Sequence, residues 1–129
     1  MKGTYILIIE IDKDKKIRVG KRGIYFKKGY YAYVGSAMNS IEKRLERHLR
    51  KDKKKRWHID YLIEKGKIKK IFYKESKIKE ECDIAKKLGV FEIIPKFGSS
   101  DCKCKSHLFY NRKAENFYEI LGEFRLFNF

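Results

Sequence analysis

Residues 4–11 form an unbroken run of mostly β-branched and aromatic side chains, Thr-Tyr-Ile-Leu-Ile-Ile-Glu-Ile, which predicts a buried strand. The polar residues 12–16 that follow predict a turn, so a hairpin should begin here. Glycines break the next apolar segments into short pieces. The first 35 residues are therefore predicted to be β, with strands at 4–11, 17–21, 24–26 and 30–34.

After residue 35 the apolar residues recur at helical spacing. Asn39, with Glu42 three residues later, predicts the start of a helix that ends near residue 50. Ser76 predicts the cap of a later helix. The apolar stripe of that helix would consist of Ile78, Cys82 and Ala85. The other expected elements are a helix at 57–66, a strand at 67–73, a loop at 97–106, a strand at 108–110, a helix at 114–121 and an apolar tail at 124–129.

This order of elements predicts an α+β fold, in which a small mixed or antiparallel sheet has helices packed on it. With 129 residues and 43% apolar content, the chain can build one core, so residues 1–129 are interpreted as a single domain. No run approaches the ~20 apolar residues of a membrane span, and no signal peptide opens the chain. We expect a soluble cytoplasmic protein with no membrane partner.

The charge of the chain is one-sided, with 33 Lys and Arg against 17 Asp and Glu, or +16 at pH 7. Such an excess attracts polyanions, and nucleic acid is the leading candidate partner. A Lys- and Glu-rich surface is also typical of heat-adapted proteins, but heat adaptation adds positively and negatively charged residues together. The excess of one sign therefore favours nucleic-acid binding.

Three short motifs occur in a distinctive order, namely Gly3-Thr4-Tyr5, then Tyr33-Val34-Gly35-Ser36-Ala37, then residues 42–48, Glu-Lys-Arg-Leu-Glu-Arg-His. This order resembles the GIY-YIG nuclease superfamily. Residues 57–62 and 97–108 resemble a small branch of it, found alone or fused to endonuclease III-type glycosylases. The resemblance implies a GIY-YIG nuclease-like fold and phosphodiester hydrolysis.

The spacing of the two tyrosine motifs departs from the superfamily, because Tyr5 and Tyr33 lie much further apart in the sequence than is typical. An extra strand should fill the gap. Gly23-Ile24-Tyr25 spells the first motif literally, which makes Tyr25 the alternative first tyrosine. We favour Tyr5, because the first motif of the superfamily opens the first strand of its fold.

The resemblance also implies roles for single residues. Tyr5 and Tyr33 would be the paired tyrosines, one of them assisting the attacking water. Arg44 would bind the phosphate, since a guanidinium is always charged and donates two parallel hydrogen bonds. His48 follows one helical turn later and could donate to an oxygen or accept a proton.

A nuclease of this type needs a carboxylate for Mg²⁺ or Mn²⁺, which one or two protein oxygens commonly hold. Glu81 is the predicted ligand, and Glu80 is its neighbouring alternative.

Residues 43–56 contain nine Lys or Arg and two acids, and an aromatic residue follows directly. This combination suits contacts with phosphates and stacking on bases, although a solvated charged face is the common alternative. The predicted nucleic-acid-binding residues are Lys43, Arg47, Arg50, Lys51, Lys53, Lys54, Lys55, Arg56, Trp57 and His58.

The three cysteines are an odd number and do not suggest a disulfide framework, which fits a reducing cytoplasm. Cys102, Cys104 and His107 form a weak candidate for Zn²⁺, with His58 or Cys82 as a distant fourth ligand. Cys-x-Cys is not a common zinc-finger spacing, so the sequence favours a loop that packs near the active site.

The function predicted from these features is metal-dependent endonucleolytic cleavage of DNA, in the context of DNA repair. Two alternatives remain open: a nucleic-acid-binding module that does not cleave, and an accessory subunit of a repair glycosylase. The sequence does not distinguish DNA from RNA as the substrate.

Overall fold

An antiparallel six-stranded sheet forms the centre of the protein in a computed structural model that describes residues 1–98 and 103–129. The strand order across this sheet is β6-β7-β4-β1-β5-β8. Its strands are β1 (Gly3–Ile11), β4 (Gly29–Ala37), β5 (Lys67–Glu75), β6 (Glu92–Ile93), β7 (Leu108–Asn111) and β8 (Arg125–Phe127). The helices are α1 (Ile41–Leu49), α2 (His58–Lys65), α3 (Glu81–Leu88) and α4 (Glu115–Tyr118). The predicted α+β class is thus confirmed.

The alternation of side chains along β1 divides the core into two layers. Tyr5, Leu7 and Ile9 face a cluster that includes buried residues of α1 and α2. Ile6 and Ile8 face a second cluster on the other side, to which α3 and α4 contribute. Because both faces of β1 are covered, the strand reads as a continuous apolar run rather than an alternating one.

The extra residues between the two tyrosine motifs form a hairpin of two strands, β2 (Lys15–Val19) and β3 (Arg22–Phe26). This hairpin is a separate two-stranded sheet. Ile17, Val19 and Phe26 are buried and join the same cluster as α1 and α2. The insertion therefore covers one face of the main sheet and leaves the pairing of β1 with β4 intact.

Two predicted helix caps are wrong. Ser40, not Asn39, caps α1, because its backbone is extended and its hydroxyl accepts a hydrogen bond from the Lys43 amide at 3.2 Å. Ser76 does not cap α3, since its hydroxyl accepts from the Ile78 amide at 3.3 Å within a local turn. The helix begins only at Glu81.

The packing stripe of α3 also differs from the prediction. Ile78 lies before the helix and is 67% exposed. The buried residues of α3 are Ile84, Ala85 and Leu88. Two strands were not predicted, namely β6 and β8, and the second lies in the apolar tail, where it pairs with the edge of β5. Among the described residues, no helix is long and apolar enough to cross a membrane.

Candidate active site

A cleft of about 460 Å³ opens at the end of the sheet where β1 begins and β4 ends. Four of the five predicted catalytic residues line it, each from a different element: Tyr5 from β1, Tyr33 from β4, Arg44 from α1 and Glu81 from α3. The other lining residues are Gly35, Ser36, Met38, Asn39, Arg56, Trp57, His58, Lys79 and Gly98.

The pairing of β1 with β4 brings the two tyrosines together. Tyr5 lies opposite Gly35 and Tyr33 opposite Leu7, so the tyrosines project from the same face of the sheet as diagonal neighbours. A Cβ atom on Gly35 would lie 2.3 Å from the Tyr5 hydroxyl oxygen. Glycine at position 35 therefore gives the Tyr5 ring the space to cross β4.

His48 is buried and lies behind Tyr5, with 2.8 Å between the Tyr5 hydroxyl and His48 Nε2. Burial, with the charge of Lys53 as a secondary cause, lowers the pKa of His48 to about 3. The imidazole is therefore neutral at pH 7, and with its proton on Nδ1 it can accept a hydrogen bond from the Tyr5 hydroxyl at Nε2. His48 does not line the cleft, so it reaches a substrate only through Tyr5.

Both tyrosines are protonated at neutral pH. Burial raises the pKa of Tyr5 to about 12, although the charge of Arg44 opposes the shift. Burial also raises the pKa of Tyr33. A buried phenol of this kind acts as a base only if its own proton has an acceptor, and His48 Nε2 is the group within hydrogen-bond distance of the Tyr5 hydroxyl.

Arg44 is held in the cleft by two contacts. Its Nη1 donates to the Ser36 carbonyl at 3.0 Å, and its guanidinium carbon lies 4.6 Å from the centre of the Trp57 ring. Arg47 packs against the same ring at 4.2 Å. Trp57 therefore contacts two cations as well as lining the cleft.

Arg47 is engaged in a buried ion pair. Its two terminal nitrogens donate to the two oxygens of Asp60 at 3.0 and 2.9 Å. The Asp60 side chain is fully buried and also accepts from the amides of Arg56 and Trp57. Burial disfavours the charged form, but Arg47 and the two amides lower the pKa of Asp60 to about 2. Arg47 thus holds the chain segment before α2 in place and does not present a free guanidinium to phosphate.

Two more of the predicted phosphate ligands have partners within the protein. Lys53 donates to the carbonyls of Arg47 and His48, at the end of α1. Lys55 forms a 2.8 Å ion pair with Glu64. Apart from Trp57, the other predicted nucleic-acid-binding residues are exposed and form no ion pair with the described residues, namely Lys43, Arg50, Lys51, Lys54, Arg56 and His58.

The structure distinguishes the predicted residues from their sequence neighbours. Glu80 forms a 2.9 Å ion pair with Lys74 and does not line the cleft, whereas Glu81 does. Tyr25 is 62% exposed on β3, and its hydroxyl donates to Asp14. Tyr25 is therefore not part of the cleft, whereas Tyr5 lines it.

Several residues of the cleft were not predicted from the sequence. Asn39 was assigned to a helix cap, yet it lines the cleft because Ser40 takes that position. Ser36 lies inside the second tyrosine motif, so the motif could have indicated it. Lys79 precedes α3 by two residues and had no sequence signal.

The weak zinc candidates are partly brought together. Cys104 and His107 lie beside Cys82, with ligand atoms within 4.8 Å of one another. His58 is not part of this group; it lines the cleft, 5.8 Å from the Phe97 ring. Cys102 lies outside the described residues.

Comparison with known proteins adds one finding. A family model described as "Domain of unknown function DUF123" matches residues 4–125. No curated protein and no solved structure matches the chain.

Proposed function

The chain belongs to the family described as domain of unknown function DUF123, and from its own cleft we propose that it is a metal-dependent endonuclease of GIY-YIG type acting on DNA. The observation that carries this proposal is the convergence of Tyr5, Tyr33, Arg44 and Glu81 on one cleft. These four residues come from separate parts of the chain and supply a proton acceptor, a phosphate ligand and a carboxylate.

The residues present suit a divalent metal. Glu81 is the single carboxylate among the described residues that line the cleft, and it is partly exposed there. Mg²⁺ or Mn²⁺ would take one oxygen from Glu81 and complete its coordination with water and phosphate oxygens. When bound, the metal stabilises the charge that develops on the phosphoryl group.

The protein's own groups can move the proton of the attacking water. Tyr5 accepts that proton while it passes its own hydroxyl proton to Nε2 of His48, and the resulting hydroxide attacks phosphorus. The P–O bond to the leaving oxygen breaks, that oxygen takes a proton from solvent water, and His48 returns its extra proton to solvent through Tyr5. This relay requires the His48 tautomer that carries its proton on Nδ1.

Arg44 supports the same step by electrostatics. Its guanidinium is fixed by the Ser36 carbonyl and by Trp57, so it can donate to phosphoryl oxygens without rearrangement. The exposed basic side chains that follow α1 extend this positive surface, so that it can contact successive phosphates of the nucleic acid.

The experiment that tests the proposal is cleavage of labelled duplex, single-stranded and branched DNA, with matched RNA, in Mg²⁺ or Mn²⁺. Glu81→Gln should abolish cleavage but retain binding. Arg44→Ala should lower the cleavage rate ~10²–10³-fold, as expected for loss of a fixed donor to developing charge. Glu80→Gln is the matched control, because it removes a neighbouring charge that is paired outside the cleft.

The outcomes separate the alternatives. Loss of cleavage in Glu81→Gln but not in Glu80→Gln supports the proposed site. Salt-sensitive DNA binding by a wild-type protein that cuts none of the substrates would overturn the nuclease and favour a binding module.

Binding of DNA should weaken steeply as salt rises, because each phosphate contact releases counterions. A plot of log K, where K is the association constant for DNA, against log [salt] has a negative slope. If Lys51 and Lys54 both contact phosphate, the double variant Lys51→Gln, Lys54→Gln should reduce the magnitude of this slope by about 1.8. Fluorescence anisotropy at several salt concentrations measures this slope.

The control for this slope is the Lys13→Gln, Lys113→Gln variant, which has the same net charge. Lys13 lies beyond the far end of β1 and Lys113 lies before α4, and both are exposed. An equal change of slope in the two variants would mean that net charge, rather than the surface after α1, determines binding.

A further inference from the structure

We propose that Cys82, Cys104 and His107 bind a structural zinc ion that ties α3 to the segment before β7. The first of these residues lies on the first turn of α3 and the other two lie more than twenty residues later. The fold therefore brings Cys82, which is distant in sequence, together with Cys104 and His107. This site is separate from the carboxylate proposed for Mg²⁺ or Mn²⁺.

The distances suit a tetrahedral ion. Cys82 Sγ lies 3.9 Å from Nε2 of His107, and the three ligand atoms all lie within 4.8 Å of one another. Zinc with bonds of ~2.3 Å to sulfur and ~2.0 Å to nitrogen places a sulfur and a nitrogen ligand about 3.6 Å apart. Small side-chain rotations are enough to reach that arrangement.

The chemistry of the ligands selects the metal. Two thiolates and an imidazole are soft or borderline ligands, which favour zinc over the hard ions Mg²⁺ and Mn²⁺. With both thiols deprotonated and His107 neutral, the ligands balance the charge of Zn²⁺. A tetrahedral site with three protein ligands keeps a fourth position.

The surroundings hold the ligands in place. The His107 amide donates to the Phe97 carbonyl at 2.8 Å, and its own carbonyl accepts from the Val34 amide at 2.9 Å. His107 is 3% exposed, whereas Cys82 and Cys104 are partly exposed and line an open groove. The groove gives an ion a route to the two cysteines, and the backbone of His107 is already fixed.

The site has a consequence for its neighbour. Glu81 precedes Cys82 directly and is the first residue of α3. The segment before this helix contains Ile78, which is largely exposed and so does not anchor the start of the helix. A zinc ion on Cys82 would fix the first turn of α3 against the segment that carries His107. The ion would thus hold the start of α3 in place beside the cleft.

The test is metal analysis of reduced, untagged protein purified without chelator. We expect one zinc per chain, and in Co²⁺-substituted protein the visible spectrum of a tetrahedral site with sulfur ligands. Cys82→Ser and Cys104→Ser should each lose the zinc and the cobalt spectrum. His58→Ala should keep both, since His58 lies outside the cluster. Cys102 is retained in every variant.

A second measurement covers variants that fold poorly. Chelation should lower the Tm of the wild type, and Cys82→Ser should start at the lower Tm and not respond to the chelator. Wild-type protein without zinc and without a tetrahedral Co²⁺ spectrum would overturn the proposal, as would zinc retained by both cysteine variants. Because metal content is the readout, these outcomes are independent of DNA cleavage.

Discussion

Tyr5→Phe should lower the rate of DNA cleavage by about 10²–10⁴-fold, the usual contribution of a positioned acid or base. The substitution removes one oxygen and keeps the ring that packs over Gly35. It therefore breaks the link between the attacking water and His48 without opening the core. Single-turnover cleavage at saturating DNA measures the effect.

The matched control is Tyr25→Phe, which alters the literal Gly-Ile-Tyr of the sequence. Tyr25 is 62% exposed and bonds to Asp14, so cleavage should remain at the wild-type rate. If Tyr25→Phe abolished cleavage and Tyr5→Phe did not, the assignment of the first tyrosine would be reversed. Because His48 Nε2 loses its partner in Tyr5→Phe, DNA affinity and folding must be measured in parallel.

Asp60→Asn should lower the free energy of unfolding by about 3–5 kcal/mol, since it leaves the Arg47 guanidinium buried without its counter-charge. Arg47 is 16% exposed and Asp60 is fully buried at the side chain, so solvent cannot replace the lost interaction easily. Urea denaturation monitored by circular dichroism gives the difference. Asp52→Asn is the matched control, because Asp52 is exposed in the same loop between α1 and α2.

The effect of Asp60→Asn should also depend on pH. The pKa of Asp60 is lowered from 3.8 to about 2, so the ionised form stabilises the fold fully above about pH 4. As the pH falls towards 2, the wild type loses this contribution and approaches the variant. A stability difference unchanged between pH 5 and pH 2 would contradict the charged pair.

The strands that build the cleft could be predicted because most of their residues are β-branched or aromatic, on both faces. Both β1 and β4 were expected in the right places, since a strand that is covered on both faces shows a nearly continuous run of apolar residues in the sequence. The short edge strands β6 and β8 were not, because a pairing of two or three residues depends on the neighbouring strand. Which serine caps a helix depends on backbone angles that composition does not specify.

The candidate site was predictable where a motif fixed the order of residues. Tyr5, Tyr33, Arg44 and Glu81 were all named from the sequence, and they line one cleft. The internal partners of Arg47 and Lys53 were not, because a run of basic residues gives no sign of which side chain will meet a carboxylate or a carbonyl. Cys82 was named from the sequence only as one of two candidates for a fourth zinc ligand, because its neighbours in space are distant in sequence.

Trp57 is the only tryptophan in the chain, and it lines the cleft in contact with two guanidinium groups. Its indole emission therefore comes entirely from this one location, with His48 6.0 Å away between ring centres. A phosphate bound by Arg44, or a base that stacked on the ring, would change the emission of the unlabelled protein. Occupancy of the cleft can thus be followed optically, on the protein as it is, in variants that no longer turn over.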